Sequence, residues 1–303
     1  MYQNGSKVKI SVFTPTYNRA YVLTRAYNCL KEQTFQNFEW VLIDDGSNDG
    51  TEQLVQAWMD EGKIDIVYKY KKNGGRFSAY NAACELFNGE LVVFLDSDDQ
   101  FVENALEIIY NFWENIQDKD RVSGIIGNMK QPDGQQLGTD FPSNIKRERS
   151  YILFDKYGIK GDRLLVFKTE IAVAHRYKLY ENEKFGGDNI VFNAINDELP
   201  MEIMREPVAI REYLPDSITN NLLKNHLASK QGIRDHYLDA LKHEKYNQIN
   251  IAKHCIGFVA YAKMTGWKFG KIITMSPYKI RCLLLYIPGL CYMFWLVKFP
   301  HNV

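Results

Sequence analysis

Short apolar runs alternate with amphipathic stretches across residues 9–113, and no other feature of the chain restricts its fold as strongly. Residues 9–14, 38–43, 64–70 and 91–95 are dense in β-branched and aromatic side chains and read as buried strands. Residues 21–32, 51–61, 77–87 and 102–113 carry the helical period. Strands and helices in this alternation build βαβ units and a mostly parallel sheet, because a parallel partner requires a crossover connection. Such sheets bind ligands beyond the carboxyl ends of their strands. Polar clusters stand at those ends: Thr16-Tyr17-Asn18, Asp44-Asp45 and Asp96-Ser97-Asp98-Asp99. Further strands are expected at residues 122–127 and 164–168, and a helix at 192–199. Residues 131–155, with Pro132, Gly134, Gly138 and Pro142, read as a loop region over the site, and most of the chain beyond Ser217 reads as helical.

Composition narrows the function classes. The 303 residues are 46% hydrophobic and 24% charged, enough for a sizeable core, which removes disordered and fibrous readings. The 37 basic and 37 acidic residues cancel, which argues against a nucleic-acid binder. The balance hides an asymmetry. No acid follows Glu244, while Lys245, Lys253, Lys263, Lys268, Lys271, Lys279, Arg281 and Lys298 do follow, so the tail is expected to meet something anionic. Residues 282–297 carry no charge, are too few for a spanning helix of about 20 residues, and are interrupted by Pro288-Gly289. With Tyr292, Phe294 and Trp295 they suit the surface of a membrane, although a buried helix or a homodimer contact would use them equally. The five cysteines are scattered and form no CxxC, as expected in a reducing compartment, and the N-terminus lacks a basic-then-apolar leader.

Three carboxylates within Asp96-Ser97-Asp98-Asp99 repel one another, and a hard divalent cation such as Mg²⁺ or Mn²⁺ relieves that repulsion. In Asp44-Asp45-Gly46-Ser47-Asn48-Asp49-Gly50-Thr51, the glycines allow tight turns and Asp49 suits a helix cap. Asp45 suits hydrogen bonds to a nucleobase or ribose. None of the six histidines falls in an HxxxH or HExxH pattern, so a zinc site is not expected, with His226 the remote candidate for a supplementary ligand.

Together the motifs resemble the inverting nucleotide-sugar glycosyltransferases of family two, which adopt the GT-A fold. Thr14-Pro15-Thr16-Tyr17-Asn18-Arg19, Gln33-Thr34-Phe35, the Asp44 to Thr51 stretch, Asn73-Gly74-Gly75 with Ala79 and Asn81, Gly89-Glu90, and Asp96-Ser97-Asp98-Asp99 stand in the family's order. The closest flavour is the bacterial enzymes that build capsule, exopolysaccharide or lipopolysaccharide side chains. The resemblance implies an α/β GT-A domain over residues 1–220 and a helical C-terminal extension over 221–303. It implies a nucleotide-sugar donor, with UDP expected, held by Pro15, Thr16, Tyr17, Asn18, Asp44, Asp45, Arg76, Asn81, Asp96 and Ser97. Asp98, with Asp96, would hold a divalent metal. Asp188, in Gly186-Gly187-Asp188, matches the family's base, although the glutamate that usually precedes it is absent here. A second departure is Tyr80, which replaces an arginine that meets the diphosphate; Arg76 is the candidate substitute. Arg211, Tyr213 and Ser217 lie where related enzymes close over their substrates. Gln231-Gly232-Ile233-Arg234 lacks the tryptophan of the processive QxxRW motif, so no processive polymerisation is expected.

The implied activity is metal-dependent, inverting sugar transfer to a glycan or polyprenyl-linked acceptor, at the inner face of the cytoplasmic membrane. The alternatives are transfer to polyprenyl phosphate itself and a non-catalytic nucleotide-sugar binding protein. The absence of GxGxxG after the first strand disfavours a dinucleotide-binding dehydrogenase.

Overall fold

A computed structural model describes residues 8–212 and 222–298. The alternation is realised as β1 (Ile10–Thr16), α1 (Ala20–Lys31), β2 (Phe38–Asp44), α2 (Thr51–Glu61), β3 (Asp65–Tyr70), α3 (Arg76–Ala83) and β4 (Leu91–Phe94). There follow β5 (Gln100–Phe101), α4 (Ala105–Glu114), β6 (Gly124–Lys130), β7 (Arg147–Glu148), α5 (Ser150–Asp155), β8 (Leu164–Lys168), α6 (Thr169–Ala174), α7 (Asn189–Glu198) and β9 (Met201–Ile210). The remainder is helical: α8 (Leu222–Ala228), α9 (Lys230–His243), α10 (Gln248–Met264), α11 (Phe269–Met275), α12 (Lys279–Leu284) and α13 (Tyr286–Lys298).

The chain divides into two compact units. One comprises Met1–Ser150, Ile159–Arg176 and Ala194–Leu214; the other Tyr151–Gly158, Tyr177–Asn193 and Pro215–Val303. Two upstream segments thus group with the C-terminal helices, which a single linear boundary does not express.

The first unit holds the sheet, in the order β3-β2-β1-β4-β8-β6-β9-β5, with β7 also on β9. The β3-β2-β1-β4 half is parallel, as the crossover helices require; β8 inserts antiparallel between β4 and β6, and β6 runs parallel to β9. β1 was expected to stop at Pro15, yet it continues to Thr16, with Pro15 opposite Ile43. β4 pairs with β1 only as far as Phe13, so at Pro15 one side of the strand is open and no ladder bond is lost. The core beneath carries Tyr27 stacked on Trp58 at 4.4 Å, with Trp40 beside them. The Trp40 indole N–H donates to Thr14 Oγ1 (2.9 Å), and that hydroxyl donates to the Leu95 carbonyl (2.7 Å), tying β2 to β1 and to the end of β4.

β9 is ten residues long and was not expected. Arg205, Glu206 and Pro207 interrupt its apolar alternation, and its register with β6 shifts between Gly127 and Met129. The 131–155 loop region holds β7 and α5 as well as turns.

In the second unit, Glu183 caps α9 by accepting the Gln231 and Gly232 amides (2.9 and 2.8 Å). Arg234 lies over the Trp267 ring at 4.6 Å and pairs with Asp235 at 2.6 Å. The QxxR stretch is therefore helix and scaffold. The apolar tail was expected to break at Pro288-Gly289. It breaks instead at Leu285, and Pro288 sits in the first turn of α13, where its missing N–H costs no helical bond. Among the described residues no helix is long and apolar enough to cross a membrane.

Candidate active site

Parallel register lines up the carboxyl ends of β1, β2 and β4: Thr16 lies opposite Asp44, and Phe13 lies between Val41 and Phe94. The three polar clusters therefore share one edge of the sheet. Thr16 is buried and its hydroxyl has no hydrogen-bond partner, so an unsatisfied oxygen sits at that edge. Tyr17 is exposed. Asn18 adopts φ 50°, and its amide donates to Ser47 Oγ (2.8 Å) while its Oδ1 accepts the Asn48 amide (2.9 Å). Asn18 thus locks the β1 and β2 loops together.

The two adjacent aspartates do different work. Asp44 is fully buried; it accepts the Ser47 amide (2.7 Å) and the Tyr68 hydroxyl (2.9 Å), which shapes the turn after β2. Asp45 accepts the Lys71 ammonium (2.5 Å) and the Gly74 amide (3.0 Å) on Oδ1, and the Gly75 amide (2.6 Å) on Oδ2. With two lone pairs per oxygen, Oδ2 retains capacity for one more donor. Gly46, at φ +89°, makes the turn feasible, since a Cβ there would stand 2.9 Å from the Asn73 amide nitrogen. Asp49 accepts the Thr51 and Ala20 amides (3.2 and 3.0 Å), but it is not the cap expected of it, because Gly50, in a left-handed conformation, occupies the N-cap of α2.

The Asp96-Ser97-Asp98-Asp99 turn closes through the Asp99 amide on the Asp96 carbonyl (3.0 Å), with Ser97 buried inside it. Three arginines converge on its acids. Arg76, the first residue of α3, reaches Asp96 Oδ1 (3.1 Å), and Arg19 approaches Asp98 (3.4 Å). Arg211, directly after β9, is shared among three carboxylates: Asp99 (2.6 Å), Asp162 (2.7 Å) and Asp96 (2.8 Å). The pairing of Gln100 in β5 with Ile210 in β9 sets Asp99 and Arg211 side by side. Sequence reasoning named Arg211 only as a soft candidate and gave Asp162 no role; the missed signal was β9, whose end aims the guanidinium. Tyr80 does not face this edge. It is buried, stacks on Phe94 and donates to the Ala172 carbonyl (2.8 Å). The Asn81 carbonyl accepts Arg176 (2.6 Å).

Asp188 belongs to the second unit, half-buried immediately before α7, and its backbone carbonyl accepts the Tyr177 hydroxyl (2.7 Å). Behind it, the His236 ring occupies the space that a Cβ on Gly187 would need. The glutamate missing from this position thus has its room taken by an imidazole. His226 lies between the Phe185 and Tyr261 rings, and Tyr213 and Ser217 fall outside the described residues.

The model of the family described as "Glycosyl transferase family 2" matches residues 11–176. The chain belongs to this family. Within it, the chain is 34% identical over 120 residues to "Glycosyltransferase GlyG" of Streptococcus pneumoniae, covering 39% of this chain and 38% of that protein. It is 33% identical over 116 residues to "Minor teichoic acid biosynthesis protein GgaB" of Bacillus subtilis, covering 38% of this chain and 13% of that one. The matches thus span well under half of these relatives' length. The GT-A fold is shared with a crystal structure of S. aureus TarS 1–349 at TM-score 0.58 and 18% identity, covering 97% of this chain and 91% of that one. A mannosyltransferase from Pyrobaculum calidifontis, solved with GDP-Man and Mn²⁺, aligns at TM-score 0.52 and 16% identity, covering 97% and 85%.

In this family 2 glycosyltransferase the acids at the sheet edge are electrostatically uneven. Burial works against the Asp96 charge, but Arg76 and Arg211 outweigh it and hold its pKa low. Burial, then Asp96, push Asp98 up, with Arg19 pulling back. Burial resists the charge on Arg211, but Asp96, Asp99 and Asp162 more than offset it and keep the guanidinium protonated. Burial pushes Asp99 up as well, to about 7, so a cation would relieve both acids; Arg211 already clasps Asp99, which leaves Asp98 as the candidate ligand. Its oxygens are hard donors of the kind Mg²⁺ or Mn²⁺ prefers. Among the described residues no group of three or more His, Cys, Asp or Glu is placed to hold a metal ion.

Proposed function

We propose that the protein transfers a sugar, with inversion, from a nucleotide-sugar donor to a glycan or lipid-linked oligosaccharide during cell-surface polysaccharide synthesis. One observation carries the reading: a single sheet edge holds the unsatisfied Thr16 hydroxyl, the loop-ordering Asp45, and an Asp96–Asp99 cluster clasped by Arg76 and Arg211. An acceptor on Asp45 Oδ2 suits the imide N–H of uracil, which supports a UDP-sugar as the donor. The relatives' printed names, teichoic acid biosynthesis among them, support the polysaccharide setting.

Asp98 and Asp96 would hold a divalent cation, which when bound supplies positive charge to the diphosphate leaving group. Arg76 and Arg211 add charge at the same edge, and Arg76 stands in for the arginine replaced by Tyr80. Asp188 is the base. As the acceptor oxygen bonds to the anomeric carbon and the bond to the diphosphate breaks, the hydroxyl proton passes to its carboxylate. The donor site is Pro15, Thr16, Tyr17, Asn18, Asp44, Asp45, Arg76, Asn81, Asp96 and Ser97, with Asp44 and Asn18 acting through the loops they lock. A lipid-linked acceptor puts the reaction at the cytoplasmic face of the membrane, and the basic, apolar C-terminal segment meets that surface.

Calorimetric titration with UDP and GDP, with and without Mn²⁺, tests this on the wild type and on Asp98→Ala. The expected result is manganese-dependent UDP binding that the substitution weakens at least about tenfold. UDP binding that ignores both the metal and the substitution overturns the metal assignment. Binding of GDP but not UDP overturns the donor.

A further inference from the structure

The C-terminal helices present an apolar face that no described residue covers. α13 packs on α10 through one side: Gly289 and Leu296 are buried, and a Cβ on Gly289 would stand 2.6 Å from the Val259 side chain. Tyr292 turns inward and packs against the cluster of Ile233, Ala260, Tyr261 and Leu296. The opposite side is apolar too, because residues 282–297 carry no charge. Ile287 is 67% exposed and Phe294 65%, and with Cys291 and Trp295 they follow the i, i+4, i+7, i+8 spacing of one helical face. In α12, Ile280 (76%) and Leu284 (74%), with Leu283, repeat the pattern at i, i+3, i+4. A soluble surface rarely gathers large apolar groups in this way without a partner.

Charge identifies the partner. Lys279 and Arg281 open α12, Lys298 closes α13, and no acidic residue occurs after Glu244. A second copy docking face to face would set this patch against itself, bases against bases. An anionic bilayer offers the apolar boundary and the opposite charge together. Neither helix is long enough to cross. We propose that α12 and α13 lie in the plane of an anionic membrane surface, with Ile280, Leu284, Ile287 and Phe294 in the acyl boundary and Lys279 and Lys298 at the headgroups, while Arg281 turns inward to Gln248 of α10. The proposal deepens the membrane placement given above and rests on it.

The test is co-sedimentation of the full chain with vesicles of phosphatidylcholine alone or mixed with phosphatidylglycerol. The protein is expected on the mixed vesicles only, and raised salt should release it. The double variant Ile287→Ser with Phe294→Ser should lower partition about tenfold or more, and Lys279→Gln about fivefold. Both changes are on exposed side chains, and unchanged thermal melting confirms that the fold is intact. No binding to anionic vesicles, or equal binding by the double variant, overturns the proposal. So does a stable wild-type dimer, seen by light scattering, that the double variant dissociates. UDP titration of the same samples reads the transferase separately: a chain that binds UDP but no vesicle loses only the docking, and one that binds vesicles but no nucleotide loses only the donor site.

Discussion

Arg211 shows how much one side chain carries. Its planar fork satisfies Asp96, Asp99 and Asp162 at once, a geometry that a lysine cannot reproduce. Removing it strands the buried Asp99 among like charges. Arg211→Met should cost about 3 kcal/mol, the low end for breaking a buried pair because the guanidinium is partly exposed. Adding Asp99→Asn should recover part of that loss in urea unfolding; an undiminished loss would mean that Asp99 is not the burden. The acids themselves were legible in the sequence, because a buried strand followed by Asp96-Ser97-Asp98-Asp99 delivers them to a fixed place. Their arginine was not, since the contact between Arg211 and Asp99 joins residues 112 apart in sequence. Tyr80 was equally illegible: a tyrosine in place of an arginine suits either a nucleotide or the core, and only its stacking on Phe94 decides for the core.

At the scale of elements, the strands that were legible are those whose neighbours in sequence also bury them. β1, β2 and β4 are continuous apolar runs because helices flank them, whereas β9, with its Pro207 and shifted register, borrows its regularity from β6. The C-terminal helices follow a different logic, with close approach in place of large knobs. Gly289 lets α13 settle onto α10 at Val259. Gly289→Val should therefore overpack this contact and destabilise the protein by about 2 kcal/mol. Chemical denaturation should report a lower midpoint, with helical content at low denaturant little changed. A neutral result would mean that α13 is held elsewhere.

Acid acts on the second unit through its partly buried histidines. Burial and then the charge of His236 lower His226 from 6.5 to about 4, and burial likewise lowers His236 itself. His254, Asp239, Asp188 and Glu244 also face His236, the first lowering its pKa and the carboxylates raising it. A histidine depressed on folding binds more protons when unfolded. Its contribution is therefore complete above about pH 6.5 and is lost as pH falls towards about 4. Thermal midpoints should drop over that window, and His226→Gln should flatten the drop. A midpoint that holds level from neutral pH to about 4 would contradict the burial of these rings.

What the sequence alone determined is whatever neighbouring residues decide together: the period of each strand and helix, the polar clusters at the strand ends, and the family order of those clusters. These follow from local sterics and from the two-residue and 3.6-residue repeats. Tertiary structure alone decided which cation each acid meets, that His236 fills the space beside Gly187, and which side of the apolar tail turns outward. Those choices join residues far apart in the chain. They are set by close packing among elements, where the space left to one side chain depends on all the others around it.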